Sequence, residues 1–308
     1  MENIISALIN LVILFFAPFI ILGIIRKTKA FWGGRKGAPI LQPFWDFIKL
    51  LRKNRVVSNS TSWVFNFAPI AIIVSTIFAG LFAPLMFGYS IINIEMAFVI
   101  FAYLFGFGKF FSLISAMDTA SSFEGMGASR EACFTTIIEP AFFIILASVT
   151  VLTTNFNFNS ISNIINSSGN YGILIIITAV IALLIMLLTE CSRIPVDDPT
   201  THLELTMIHE VMILDNSGID LALITWASGI KMVILMGLIA NFIIPSSLDF
   251  LSKGILFISI GILLAIIIGT IESAIARLRM SHVFEFIFVM SSLALVIASL
   301  VTVKLYGV

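Results

Sequence analysis

Seven ionisable residues lie within or at the ends of strongly apolar runs: Glu95, Lys109, Glu139, Glu190, Lys231, Glu272 and Glu285. A charge inside a membrane-spanning helix costs at least ~2.5–3.5 kcal/mol on insertion scales, so each is a candidate for ion handling. The plainer alternative is a helix-end side chain reaching back to the interface, or a structural ion pair. That alternative suits Glu95 and Lys231 best. Glu139 and Glu272 lie about a turn or more inside their runs, with no basic neighbour in sequence. Pro140 removes a backbone donor beside Glu139, and a loosened, hydrated turn next to a carboxylate suits a proton relay. Lys109 sits mid-run after Gly106 and Gly108, a place that suits pairing and transport equally.

The densest group of polar residues begins at Glu190 and runs through Arg193, Asp197, Asp198, His202 and Glu204 to His209 and Glu210. Asp198 is a good N-cap and Pro199 a good first residue, which predicts a helix from 199 to about 214. Asn216-Ser217-Gly218 would end it. Such a helix puts His202, Thr206 and His209 on one face. The two histidines are spaced too widely for the i,i+4 pair of a zinc helix. Asp198 and His202 have that spacing but no third ligand, so no metal site is assigned. Imidazoles titrate near neutral pH, and with several carboxylates nearby they suit proton transfer; charged loop packing without chemistry is the alternative. No nucleophile elbow, phosphate loop or dinucleotide fingerprint is present, and no catalytic residue is assigned. Cys133 and Cys191 are too few and too far apart for an iron–sulfur cluster.

The elements that position these groups follow from composition. Of 308 residues 59% are hydrophobic, and with 19 Gly the apolar share reaches about 65%, whereas 11% are charged. These values exclude a soluble globular enzyme, a disordered chain and a secreted disulfide scaffold. They predict an all-α, polytopic integral membrane protein. Eight spans are expected, at roughly 4–25, 63–87, 93–117, 134–154, 171–189, 221–243, 254–276 and 283–305. The first run lacks the basic start and cleavage site of a signal peptide and is expected to stay as a span. The longest gap, 26–62, is too short for an appended soluble domain, so residues 1–308 form a single membrane domain. Net charge is zero, which gives no basic field for nucleic acid.

Lys and Arg set the orientation. The first loop holds nine: Arg26, Lys27, Lys29, Arg35, Lys36, Lys49, Arg52, Lys53 and Arg55. Loops on the same side add Arg130, Arg193, Arg277 and Arg279, whereas the opposite loops supply only Lys253. Both termini are therefore expected outside, with the basic loop cytoplasmic. Within that loop, 41–53 is amphipathic, with Phe44, Phe47, Ile48 and Leu51 at helical spacing. It predicts a helix lying at the membrane surface, compatible with docking of a soluble subunit.

These loops resemble, in order, those of the complex I membrane-subunit family that lies under the quinone chamber. The matching stretches are Arg26-Lys27, Trp32, Arg35-Lys36-Gly37-Ala38-Pro39 and Leu41-Gln42-Pro43 with Asp46. Gly127-Ala128-Ser129-Arg130 is similar to the family's Gly-Ala-x-Arg loop. Glu190, Arg193, Pro195, Asp197 and Glu204 are similar to its Glu-x-x-Arg-x-Pro-x-Asp element, and Arg277-Leu278-Arg279 to its Arg-x-Arg. There are departures: Ile25 stands where an acid is expected, Ala38 displaces a proline, and Ser281 replaces an Asp. The run from Pro195 to Glu210, with His202 and His209, resembles the hydrogenase branch: membrane subunits of hydrogenase-4, formate hydrogenlyase and energy-converting hydrogenases.

The resemblance implies a subunit that anchors a peripheral hydrogenase arm and couples its redox events to proton or sodium movement. It implies no cofactor on this chain. A nickel–iron (NiFe) centre and iron–sulfur clusters would sit in partners, namely the hydrogenase large and small subunits and cluster-bearing subunits. Antiporter-like membrane subunits would adjoin it in the cytoplasmic membrane. Path candidates are Lys109, Glu139, Glu190, His202, Glu204, His209, Glu210 and Glu272. Docking candidates are Arg26, Arg35, Asp46, Arg130, Arg193, Asp197, Asp198, Arg277 and Arg279. The rival readings are a quinone-site subunit, against which the His202/His209 loop argues, and a free-standing transporter. No inverted repeat supports the latter.

Overall fold

Eight helices in the computed structural model are long and apolar enough to cross a membrane, as hydropathy predicted. The structure describes residues 2–154, 158, 161, 171–198 and 207–306. The spans are α1 (Glu2–Trp32), α3 (Trp63–Phe82), α4 (Ala97–Asp118), α5 (Ser122–Thr153), α6 (Gly172–Glu190), α8 (Gly218–Ile243), α9 (Phe250–Ala274) and α10 (Met280–Tyr306). Two shorter helices, α2 (Gln42–Leu51) and α7 (His209–Met212), lie between them. There is no strand among the described residues.

Helix α8 is the central post. Its span is 72% buried against 28% for α4, α9 and α10, and it packs on α1, α2, α3, α6 and α9. The pairs α1–α9, α3–α4, α4–α5, α5–α10 and α6–α10 close around it. The outward faces of the peripheral helices are apolar, with Phe16, Phe78, Phe107, Ile181, Leu263 and Leu295 exposed, as a lipid-facing surface requires.

Four expectations change. Helix α1 runs on to Trp32, seven residues past its predicted end, and so carries Lys29 towards α9. Helix α5 starts at Ser122, twelve residues before the predicted span. The stretch 122–133 is too polar to read as membrane, yet Glu124, Gly127, Ala128 and Glu131 bury one helical stripe at i, i+3, i+4 and i+7. Gly127 belongs there because a β-carbon would stand 2.8 Å from the Ile208 carbonyl oxygen and 2.7 Å from Val211.

The third change concerns α2, whose predicted face is rotated. Pro43, Phe44, Phe47 and Leu50 turn inward, whereas Leu51 is exposed. Phe44 and Phe47 each lie 5.4 Å from Phe19 between ring centres, and Phe47 lies 5.2 Å from Trp226.

The fourth is the helix predicted from 199 to about 214. Residues 199–206, with His202 and Glu204, lie outside the described residues. Met207 and Ile208 are not helical, and only His209–Met212 makes a turn. At this break the backbone is held by Asp197, which is fully buried. Its Oδ2 accepts the backbone N–H groups of both Ile208 and His209 at 3.0 Å, and its Oδ1 accepts that of Asp198 at 3.0 Å. One carboxylate thus holds the backbone of residues 198, 208 and 209.

Candidate functional site: a buried lysine–glutamate network and its cleft

Four helices each deliver one charge to the same point. Lys109 of α4 places Nζ 2.9 Å from Glu131 Oε1 on α5 and 2.5 Å from Glu190 Oε1 at the end of α6. Glu190 Oε2 lies 3.3 Å from Lys231 Nζ on α8. The side chains of Lys109, Glu131 and Glu190 are 8%, 9% and 8% exposed. Lys231 also sits 5.7 Å above the Phe105 ring, a cation–π contact. Gly108 lets α4 approach α3 beside Lys109: a β-carbon there would fall 2.5 Å from Ser75 Oγ.

Glu139 lies two helical turns along α5 from Glu131. It lines a cavity of about 20 Å³ with Lys109, Glu190 and Lys231. Pro140 follows without breaking α5. A second cavity of about 40 Å³ is walled by Lys109, Glu131, Glu190, His209, Ser228 and Lys231. Each volume accommodates at least one water.

His209 also lines a larger cleft of about 390 Å³, together with Arg26, Lys29, Arg193, Glu210 and Glu272. It therefore stands between the cleft and the buried network. Glu272, from α9, is held by Arg193 Nη1 at 3.3 Å and Lys29 Nζ at 3.0 Å. Asp197 Oδ1 meets Arg277 Nη2 at 3.2 Å, and Arg130 Nη1 donates to the Met207 carbonyl at 3.0 Å. Cys191 is in the cleft wall, where burial pushes its thiol up to about 12 and keeps it protonated. Among the described residues, no group of three or more His, Cys, Asp or Glu could hold a metal ion.

The path candidates thus fall into two groups. Lys109, Glu139 and Glu190 meet in the network, while Glu210 and Glu272 face the cleft; His209 adjoins both. The network also contains Glu131 and Lys231, and the cleft contains Lys29. Glu131 escaped notice because its stretch read as a loop. Its place in the buried stripe of α5 was the available signal.

The docking candidates divide differently. Arg35 and Arg279 are exposed, and Arg26 and Asp46 form a half-exposed pair at 3.2 Å. Asp198 is half-buried. Arg193, Asp197, Arg130 and Arg277 instead bind within the chain, and Asp197 has no exposed surface to offer a partner. Asp197 is the buried charge among them and is paired, and the contacts of these four hold the loops around the cleft.

Eight spanning helices around a charged interior define a polytopic membrane protein. Residues 5–303 match the NADH dehydrogenase family, and the chain belongs to that family. Two curated relatives come from Escherichia coli (strain K12). Hydrogenase-4 component C is 28% identical over 286 residues, covering 90% of this chain and 89% of the relative. Formate hydrogenlyase subunit 4 is 25% identical over 288 residues, covering 90% and 92%. The fold is similar to a chain in the solved structure of the membrane-bound sulfane sulfur reductase, an archaeal respiratory membrane complex. There the TM-score is 0.81 with 19% identity, over 98% of this chain and 100% of that one.

Proposed function

We propose that this chain is the membrane anchor and ion-coupling component of an energy-converting hydrogenase or formate hydrogenlyase-type complex. The observation that carries the reading is the Lys109–Glu190–Lys231 network, with Glu131 and Glu139 beside it and His209 between it and the cleft. Three carboxyls share the network with two ammonium groups, so one exchangeable proton brings it to neutrality. The names of the curated relatives support the hydrogenase branch. On this reading the whole chain is one domain of the cytoplasmic membrane, with both termini outside. A hydrogenase arm holding the nickel–iron centre and clusters docks on the basic loop, and antiporter-like subunits lie alongside. Sodium in place of protons would use the same carboxylates.

Glu139 tests the path because it lines the network's cavity while Lys109, Glu131, Glu190 and Lys231 form the ion pairs. Glu139→Gln is expected to leave assembly and hydrogen chemistry with artificial donors intact, while ions moved per electron fall several-fold. The measurement is ion uptake by vesicles of known orientation, and a wild-type ratio would remove Glu139 from the path.

Docking is expected to rest on exposed cations of the first loop rather than on Arg193. Arg35→Glu with Lys36→Glu should release the soluble arm from washed membranes at moderate salt, because both side chains are exposed and neither supports the fold. Full retention of the arm would move docking elsewhere.

One observation favours the quinone reading. Three neighbouring cavities that share wall residues lie in a line from the charged cleft to the outer face of α1, where access for a membrane-dissolved substrate would run. Saturable quinone reduction by the intact complex would establish it, and inert quinone analogues would leave the hydrogenase reading in place.

A further inference from the structure

The outermost cavity in that line is an aromatic groove of about 360 Å³ between α1, α2 and α8. Phe15, Phe16, Phe19, Phe44, Phe47 and Trp226 wall it. Phe19, Phe47 and Trp226 also line the next cavity, of about 140 Å³, which ends at Thr225 and the Arg26–Asp46 pair. The groove is open on the membrane side of α1, where Val12 is 57% and Phe16 55% exposed. The polar side-chain group of its wall, the Trp226 indole N–H, already donates to the Phe15 carbonyl at 3.3 Å, so the wall offers little to water, and an empty apolar cavity of this size forfeits dispersion contacts. An elongated apolar occupant fits it. From Leu11 to Arg26 the helix rises ~22 Å, so the groove and its head end span the hydrocarbon of one leaflet, about 15 Å, and reach the interface.

Charge decides which amphiphile this is. Residues 26–62 hold nine Lys and Arg and one acid, Asp46. Both Asp46 oxygens are engaged, Oδ2 by Arg26 and Oδ1 by the side-chain amide of Gln42 at 2.8 Å. Arg26 uses Nη1 for that contact, and the guanidinium fork carries further donors suited to a phosphate. Lys49 and Arg52, at the C-terminal end of α2, are exposed and form no carboxylate pair among the described residues. A zwitterionic headgroup would bring its own ammonium into this field, whereas a net-anionic phosphodiester would not. Basic sites beside spanning helices bind anionic headgroups for this reason.

We propose that the α1–α2–α8 groove is a binding site for one anionic phospholipid, its acyl chain on the aromatic wall and its phosphate on Arg26, within the cationic field of α2. The site would close the lateral end of the cavity line with lipid. It requires only that the chain spans a membrane, and stands independently of the hydrogenase reading.

The test uses the chain purified with its assembled partners and reconstituted in phosphatidylcholine vesicles. These contain a small, equal fraction of either phosphatidylglycerol or phosphatidylcholine bearing a photoreactive group on the acyl chain. Peptide mass spectrometry is expected to place phosphatidylglycerol cross-links on residues 11–19, 44–47 and 226, several-fold above the phosphatidylcholine probe. Arg26→Gln should reduce the excess to the phosphatidylcholine level. Lys49→Gln with Arg52→Gln, both at exposed positions, should lower it in protein that remains folded. Equal labelling by the two probes would overturn the proposal, leaving ordinary surrounding lipid. Absence of groove labelling in the assembled complex would also overturn it, and would mean that another subunit covers the face. Displacement by an isoprenoid quinone present well below the phospholipid concentration would overturn it in favour of a quinone tail.

Discussion

Replacing Lys109 by methionine should abolish ion-coupled turnover and sharply lower the amount of assembled complex. Lys109 is the cation shared by Glu131 and Glu190, and all three side chains are less than a tenth exposed. Without it, two carboxylates face each other across a low-dielectric interior with only Lys231 in reach of one of them. Removing one partner from a buried ion pair costs about 3–5 kcal/mol, because the other charge is left uncompensated. That is a large share of the ~5–15 kcal/mol by which a folded protein is stable. Lys109→Arg keeps the charge but needs more room and a planar approach to two oxygens on different helices, so partial recovery is expected. A second variant separates structure from transport. Lys109→Met combined with Glu131→Gln removes one charge of each sign, leaves Glu190 paired with Lys231, and should restore assembly, measured by co-purification of the partners, without restoring ion uptake. If Lys109→Met alone assembled and pumped at the wild-type ratio, the network would be neither a structural nor a transport element.

What the sequence made legible follows from what lipid forbids. Eight spans were visible because an exposed helix in hydrocarbon must be apolar nearly all round. Lys109, Glu139 and Glu190 stood out because a charge there is costly. The partners of those charges were not legible. Glu190 lies 81 residues from Lys109 and 41 from Lys231, and no local pattern encodes a contact made by packing four helices. Glu131 was hidden by its polar neighbours, although Glu124, Gly127, Ala128 and Glu131 carry a helical period that hydropathy averaging erases.

The basic residues teach a related lesson. Counting Lys and Arg by loop does not distinguish Arg35, which is exposed, from Arg193, which turns inward to Glu272. Only tertiary placement divides exposed cations from those that pair within the chain. The helix predicted to run unbroken to about 214 is interrupted at Met207 and Ile208 for the same kind of reason: Asp197 bonds to residues eleven and twelve positions on, which locally scored propensity does not register.

Asp197→Ala is expected to have the second-largest effect. The substitution deletes the acceptor for the backbone N–H groups of Asp198, Ile208 and His209 and leaves Arg277 without this carboxylate. A buried donor left unsatisfied costs about 1–3 kcal/mol, and Ile208 is buried. The loss should be felt at His209, because the same oxygen that caps α7 fixes the backbone of the residue lying between cleft and network. Coupling should therefore fall together with resistance to limited proteolysis between Arg193 and Arg277. Asp197→Asn retains one carbonyl acceptor of similar shape but no charge. It should recover part of the protease resistance while the pairing with Arg277 stays weakened. The comparison that decides the matter is Arg277→Gln, which leaves the three backbone bonds in place. If Asp197 acts by holding His209, Arg277→Gln should preserve coupling far better than Asp197→Ala. Equal loss in the two variants would assign the effect to the ion pair, and His209 would then owe its position to other contacts.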